Sequence, residues 1–252
     1  MIERIDQDGV AVLRLAHGRA NALDLELCAA VERALDDAAT ARAVVLTGTG
    51  GIFSAGVDLK RLLAEGPAYL DAFLPALSRM FARVFDHPAP VVAAINGHAV
   101  AGGCVLACAA DRRVMAEGAG RIGVTELLVG LPFPAFALEV MRFVVPPPRL
   151  PEVLYLGRTY EPADAGARGL VDEVIPAAGL LAHAVALAGT LAAVPAPTFA
   201  LTKRHVRQPV ARAMAAHGAG IDRAVAALWA SPGARATVDA YVRRTLGTRA
   251  RA

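Results

Sequence analysis

Residues 53–60, Phe53-Ser54-Ala55-Gly56-Val57-Asp58-Leu59-Lys60, and residues 96–104, Asn96-Gly97-His98-Ala99-Val100-Ala101-Gly102-Gly103-Cys104, each place glycine where an apolar strand gives way to a helix. The first N–H groups of a helix have no intrahelical acceptor and point outward with the positive end of the helix dipole. Two such groups brought to one point would hold an oxygen that is becoming negative, so the pair implies a substrate whose carbonyl turns into an enolate. Either motif alone also has a packing explanation: Gly102-Gly103 for a helix lying close on a sheet, Gly56 for a turn with positive φ. Neither is a nucleotide loop, since no Gly-Lys-Ser/Thr follows and the spacing is not G-x-G-x-x-G.

Around these motifs the chain alternates strands and helices. Residues 2–6 and 10–15 alternate about Asp8-Gly9, as in a β-hairpin. Asp24 is placed to cap a helix carrying Leu27, Val31 and Leu35 at helical spacing, and residues 43–47 follow as a buried strand. A glycine-bearing loop spans 48–56, a helix is predicted over about 68–85, a strand over 90–95, a turn at Asn96-Gly97, a small-residue helix over 101–110 and a strand over 112–116. Further on come a strand candidate at 120–124, helical segments at 126–130 and 136–145, helices near 150–156 and 162–167, a last strand at 171–175 and a helical tail from Leu180 to Leu246. Strands first and helices last, with right-handed crossovers, describe an α/β chain.

Composition narrows the class. The chain has 252 residues, 56% hydrophobic and 19% charged, which excludes disorder and suggests surface hidden between subunits. Apolar runs such as 91–95 and 102–110 are too short to span a membrane, and the charged start Met1-Ile2-Glu3-Arg4-Ile5-Asp6 is no secretory signal; a cytoplasmic location without membrane contact is expected. A net charge of +3, with basic residues clustered only at Arg243-Arg244 and over 249–251, gives no case for nucleic acid. Cys28, Cys104 and Cys108 read as buried free thiols rather than metal ligands.

The order of motifs resembles the crotonase superfamily of enoyl-CoA hydratases and isomerases. The resemblance rests on Arg19-Ala20-Asn21-Ala22-Leu23, on the two glycine segments, on Thr125-Glu126-Leu127 with Gly130 beyond, and on Ala165-Gly166-Ala167-Arg168-Gly169-Leu170-Val171-Asp172. It implies a ββα spiral core over residues 1–195, a helical trimerisation region over 196–252, and a homotrimer or dimer of trimers. The ligand it implies is an acyl-CoA thioester, with no further cofactor and no metal. The N–H groups of Val57 and Gly102 would form the oxyanion hole. Arg19, Ala20, Ala22, Ala55, Gly56, Asp58, Leu59 and Lys60 would border the CoA, Gly103, Val105, Leu131 and Phe133 the substrate, and Tyr241 and Arg244 would reach the CoA of the same or a neighbouring subunit.

The same resemblance separates reaction types. Hydratases of the superfamily carry two glutamates, and the first of those positions here is Val105, which can neither orient nor deprotonate water; the second is Glu126. A single carboxylate beside an enolate hole suits proton transfer from C2 to C4 of a 3-enoyl-CoA, with the pKa of Glu126 raised by Val105, Leu127, Leu131 and Phe133. Hydration, thioester hydrolysis, decarboxylation and a weakly active acyl-CoA binder share the same hole and stay open. Asp58, Glu65 or Asp71 could restore a second carboxylate. Without the family context Glu126 reads as a helix-terminal charge paired to Arg121 or Arg142, and His98 as a packed or CoA-adjacent side chain.

Overall fold

The computed structural model describes residues 1–245; residues 246–252, which include the end of the expected helical tail at Leu246 and the basic run over 249–251, lie outside the described residues. The chain winds through turns of two strands and a helix. The first comprises β1 (Ile2–Gln7), β2 (Val10–Leu15) and α1 (Leu25–Asp37), the second β3 (Ala43–Thr47), β4 (Ile52–Ser54), α2 (Leu59–Glu65) and α3 (Pro67–Phe85). The third comprises β5 (Val91–Ile95), β6 (His98–Val100) and α4 (Gly102–Cys108). The fourth comprises β7 (Arg112–Ala116), β8 (Ile122–Gly123), a 3-10 turn (Glu126–Val129) and α5 (Ala135–Val144). Beyond them lie α6 (Leu150–Tyr155), α7 (Pro162–Gly166), β9 (Glu173–Ile175), α8 (Leu180–Leu191), α9 (Ala196–Ala213), a π-helical turn (Met214–Gly218), α10 (Ala219–Trp229) and α11 (Pro232–Thr245).

Each later turn sends its first strand to a six-stranded sheet, ordered β1-β2-β3-β5-β7-β9, and its second to a three-stranded sheet, ordered β4-β6-β8. Among the named strands of the described residues, only the β1–β2 pair is antiparallel, its turn made by Asp8 and Gly9 at positive φ. The wholly buried strands β3 and β5 are continuously apolar, as parallel strands covered on both faces require. Their side chains alternate between two cores: Val44, Leu46, Ala93 and Ile95 face α1 and α3, whereas Ala43, Val45, Val92 and Ala94 face α8. Polar β1 takes the edge, where its charges discourage further pairing.

Of the smaller sheet only β8 was anticipated, within the strand candidate at 120–124. Residues 48–56 read as loop and Asn96-Gly97 as a turn, yet Ile52–Ser54 and His98–Val100 pair in parallel and continue to Ile122–Gly123. Strands of two or three residues carry no readable period of two; pairing with neighbours distant in sequence creates them. Asn96-Gly97 is accordingly more than a turn. Asn96 Oδ1 accepts from Gly48 N–H at 2.9 Å and its Nδ2 donates to the Gly50 carbonyl at 2.8 Å, while a Cβ on Gly97 would lie 1.8 Å from the Gly51 carbonyl oxygen.

The helical tail expected from Leu180 is α8 to α11, and its later part folds onto the chain's own core: Val210, Val225, Trp229, Ala234 and Val238 join the main apolar cluster. No single helix among the described residues is long and apolar enough to cross a membrane. The three cysteines are buried and free, and burial pushes the Cys28 thiol up to about 12.

Gly103 shows how tightly the spiral is wound. A Cβ there would sit 2.3 Å from the Ser54 carbonyl oxygen, whereas one on Gly189, inside α8, would meet nothing within 4 Å. Gly103→Ala is therefore expected to cost about 1–3 kcal/mol through overpacking. Gly189→Ala is expected to gain about 0.5–1 kcal/mol through helix propensity. Chemical denaturation of the two variants against wild type measures both signs.

Candidate active site

The two glycine segments meet. Residues 20–23 lie along the first: Ala55 N–H donates to the Ala20 carbonyl at 3.0 Å, Leu23 N–H to the Gly56 carbonyl at 2.8 Å, and Asp58 N–H to the Leu23 carbonyl at 3.0 Å. These bonds fix the residues on both sides of Val57 and leave its own N–H turned away from them. Asn21, held at φ 46°, donates through Nδ2 to the Phe53 carbonyl at 3.1 Å, and Ser54 Oγ donates to the Asn21 carbonyl at 2.7 Å. Gly56 has φ 81°, and a Cβ on it would be 2.7 Å from the Val100 carbonyl oxygen and 3.0 Å from Gly102 N. Gly102 opens α4, so its N–H is one of the helix's orphan donors. Among the described residues no acceptor takes the N–H of Val57 or of Gly102.

Ala101 sets the direction of the second donor. Its φ of 52° is unusual for a residue with a Cβ, and it is held by its own N–H, which donates to the Gly123 carbonyl at 2.8 Å, and by its carbonyl, which accepts from Cys104 N–H at 2.8 Å. Conformations of this kind persist where surrounding structure over-determines them and cluster at functional sites.

Both segments border a cavity of about 320 Å³. Of the residues singled out from sequence, Ala20, Ala22, Ala55, Val57, Asp58, Leu59, Lys60, Glu126, Leu131 and Tyr241 line it. Gly56 and Gly102 lie directly behind that wall, in contact with each other. The structure corrects the others. Gly103 is packed on Ser54, and Val105 is fully buried in the core rather than facing the cavity. Phe133 lines a separate hollow together with Leu127, which is 42% exposed, so neither walls Glu126. Arg19 is exposed and outside the wall. Arg244, likewise outside it, has its guanidinium 5.8 Å from the Tyr241 ring centroid. His98 is half-buried in β6 and does not reach the cavity.

Sequence reasoning missed Val100, Ala101, Thr125, Val129 and Trp229, which complete the lining. The first four adjoin residues that were singled out. Trp229 had no local signal, because its place in the wall depends on how α10 folds back.

Glu126 begins the 3-10 turn after Thr125, and Gly130 closes that turn at φ 73°. The expected alternative of an ion pair is not what forms. Arg121 binds Glu161 and Arg142 binds Glu139, while Glu126 Oε2 is closed from solvent without a hydrogen-bond partner. Burial raises the Glu126 pKa to about 7, partly opposed by the backbone N–H groups of Glu126 and Thr125. The wall holding this carboxyl group apolar includes Val129, Leu131 and Trp229.

The other carboxylates are engaged or remote. Asp58 caps α2, its Oδ1 accepting from the N–H groups of Lys60 at 3.1 Å and Arg61 at 3.0 Å. Glu65 binds Arg61 at 2.6 Å, and Asp71 lies on a different hollow beside Asp222. Arg61 also pairs with Glu26 and lies 5.0 Å from the Tyr69 ring centroid, tying the rim helix α2 to α1 and α3.

With this geometry in view, the comparisons with known proteins are decisive. The family model described as enoyl-CoA hydratase/isomerase matches residues 6–244. The chain belongs to this family. A Thermus thermophilus protein with a provisional enoyl-CoA hydratase name is 38% identical over 207 residues, 79% of this chain and 81% of the relative. Rattus norvegicus mitochondrial enoyl-CoA delta isomerase 1 is 30% identical over 217 residues, 84% of this chain and 75% of the relative. The crystal structure of human mitochondrial delta3-delta2-enoyl-CoA isomerase superposes with a TM-score of 0.93 at 25% identity, covering 98% of each chain. The fold of this family member is thus the crotonase spiral, and the chain is an enzyme of the hydratase/isomerase group.

Glu126 also links pH to stability. Its folded pKa of about 7 lies above the ordinary 4.5, so between these values the folded state binds more protons than the unfolded state. Stability from this group is therefore present below pH 4.5 and lost as pH rises through 7. Glu126→Gln removes the titration, and its stability relative to wild type should rise by up to about 3 kcal/mol between pH 4.5 and pH 8. Denaturation curves at the two pH values measure the change; a gap independent of pH would contradict the raised pKa.

Proposed function

We propose that the chain moves the double bond of a 3-enoyl-CoA to the 2-position, with Glu126 as the sole proton carrier. The observation that carries this reading is Glu126, whose buried Oε2 has no hydrogen-bond partner, in a cavity bordered by both glycine segments. In the ionised form the carboxylate takes a proton from C2 of the bound thioester. The C2–H electron pair passes into the conjugated system, and the charge gathers on the thioester oxygen between the N–H groups of Val57 and Gly102. Return of the proton to C4 draws the double bond to C2–C3 and restores the carboxylate. No atoms are gained or lost, and no metal or redox cofactor takes part.

Preorganised amides favour the dienolate because they do not reorient as charge develops; removing one donor of this kind costs about 2.7–4 kcal/mol in barrier. Desolvation matters in the same direction, since a carboxylate lifted towards neutrality is a stronger base for a carbon acid than one in water. Lys60, exposed at the rim, is available to the anionic CoA, and Ala20 and Ala22 leave room for its backbone.

Hydration is the second family activity and needs a group to position water as well as one to deliver a proton. Among the described residues the cavity wall has two carboxylates, Glu126 and Asp58, and the N–H groups of Lys60 and Arg61 already occupy Asp58 Oδ1. The apolar, buried Val105 contributes nothing to water. Both facts favour isomerisation.

Wild type and Glu126→Gln incubated with a 3-enoyl-CoA and with a 2-enoyl-CoA, each product followed separately, test the assignment. Wild type should isomerise the first and leave the second unhydrated, and Glu126→Gln should lower isomerisation by about 10²–10⁴-fold. The wild-type kcat/KM should climb with pH up to about 7 and level off above it, because the carboxylate is the active form. Rapid hydration by wild type would overturn the choice of reaction.

A further inference from the structure

The wall beyond Glu126 separates two apolar spaces. Trp229, on α10, is 3% exposed and lines the active cavity. Its indole Nε1–H donates to the Pro132 carbonyl at 2.9 Å. Pro132 in turn lines a neighbouring hollow of about 430 Å³, together with Phe133, Leu138, Val225 and Leu228. The hydrogen bond therefore ties α10 to the segment following Glu126, where Leu131 and Trp229 line the cavity while their chain neighbours Pro132 and Leu228 line the hollow. A buried tryptophan whose N–H is satisfied is fixed in orientation as well as in position, so this partition is rigid.

The distribution of polarity indicates which part of a ligand meets it. The charged rim of the cavity is Asp58 and Lys60, whereas Val129, Leu131 and Trp229 are apolar and buried. An aliphatic tail held at its thioester near Val57 and Gly102 gains most by lying against those apolar residues. The cavity is modest, and the thioester with its reacting carbons occupies part of it.

The geometry points to Trp229 as the residue that sets acyl-chain length: its ring stops the tail at the cavity wall, and removal of the ring joins the cavity to the hollow lined by Phe133 and Leu228. This inference rests on the acyl-CoA reading of the cavity. It does not depend on which reaction follows binding.

The test compares kcat/KM for trans-3-hexenoyl-CoA and trans-3-dodecenoyl-CoA, and Kd for hexanoyl-CoA and dodecanoyl-CoA, in wild type and Trp229→Ala. Wild type should prefer the shorter member of each pair. Trp229→Ala should raise the long-to-short ratio about tenfold or more, since several methylenes leave water in the opened hollow. A ratio within one variant is insensitive to its active fraction, and Trp229→Phe, which keeps an apolar ring, supplies a smaller shift of the same sign if the alanine variant folds poorly. Adding Leu228→Asp to Trp229→Ala places a charge in the hollow and should return the ratio towards the wild-type value.

An unchanged ratio in both Trp229 variants, a wild type that takes both lengths equally, or a gain that survives Leu228→Asp would each overturn the proposal. A wild type that isomerises neither substrate, while Trp229→Ala still shifts the ratio of the two Kd values, would defeat the isomerase assignment and leave the chain-length role standing.

Discussion

Close contact between two stretches of main chain, Gly56-Val57 and Val100-Ala101-Gly102, is the constraint on which the site depends. The room for a side chain between them is absent: a Cβ on Gly56 would approach the Val100 carbonyl oxygen to 2.7 Å and Gly102 N to 3.0 Å. Glycine is needed at position 56 twice over, for φ 81° and for this approach. The parallel pairing of β4 with β6 brings the two strand ends together, and the Asn21 and Asn96 side chains hold the flanking loops. The N–H groups of Val57 and Gly102 are main-chain donors, so their separation is set by backbone packing rather than by rotamers, as the proposed oxyanion role requires.

The structure uses buried charge in two different ways. At the base of α9, Lys203 and Arg207 both bind Asp111, at 2.7 and 2.8 Å, and Asp111 also accepts from Val91 N–H. Burial still lowers Lys203 to about 8, but its charge has a partner, and the cluster fastens the C-terminal helices to the edge of β5. Glu126 Oε2 is buried with no partner. An unpaired buried carboxyl group costs stability at neutral pH, and a fold retains such a cost where the group performs work. Asp111 thus gathers partners from two helical turns and a strand end, whereas Glu126 Oε2 gathers none.

Legibility from sequence followed the range of the interactions. The long elements were visible: β3 and β5 as apolar runs, α3 as an amphipathic helix over about 68–85 against the observed Pro67–Phe85, and Asp24 as a cap, its Oδ1 accepting from Leu27 N–H at 2.8 Å. These depend on neighbours three or four residues apart or on a period of two. Strand β4 was read as loop, β6 was left unassigned between the Asn96-Gly97 turn and the following helix, and β8 was read as a slightly longer strand candidate, because their identity comes from partners as far as forty-six residues away in Ile52↔His98. At the site, residues 55–60 and Glu126 were marked by glycine placement and motif order. Leu127 and Phe133, expected beside Glu126, line the separate hollow instead, a placement set by distant helices α6 and α10.

The sequence by itself determined that the chain alternates strands and helices with two glycine-bearing junctions, and the order of its motifs carried the resemblance to the family. Those features are written in local composition and order. Tertiary structure alone decided that Glu126 has no ion-pair partner, that Asp58 is occupied as a helix cap, and that Trp229 lines the cavity and bonds to Pro132. Each of these depends on which groups arrive at one point from distant parts of the chain, and solvent exclusion there is a property of the assembled wall rather than of any residue in it.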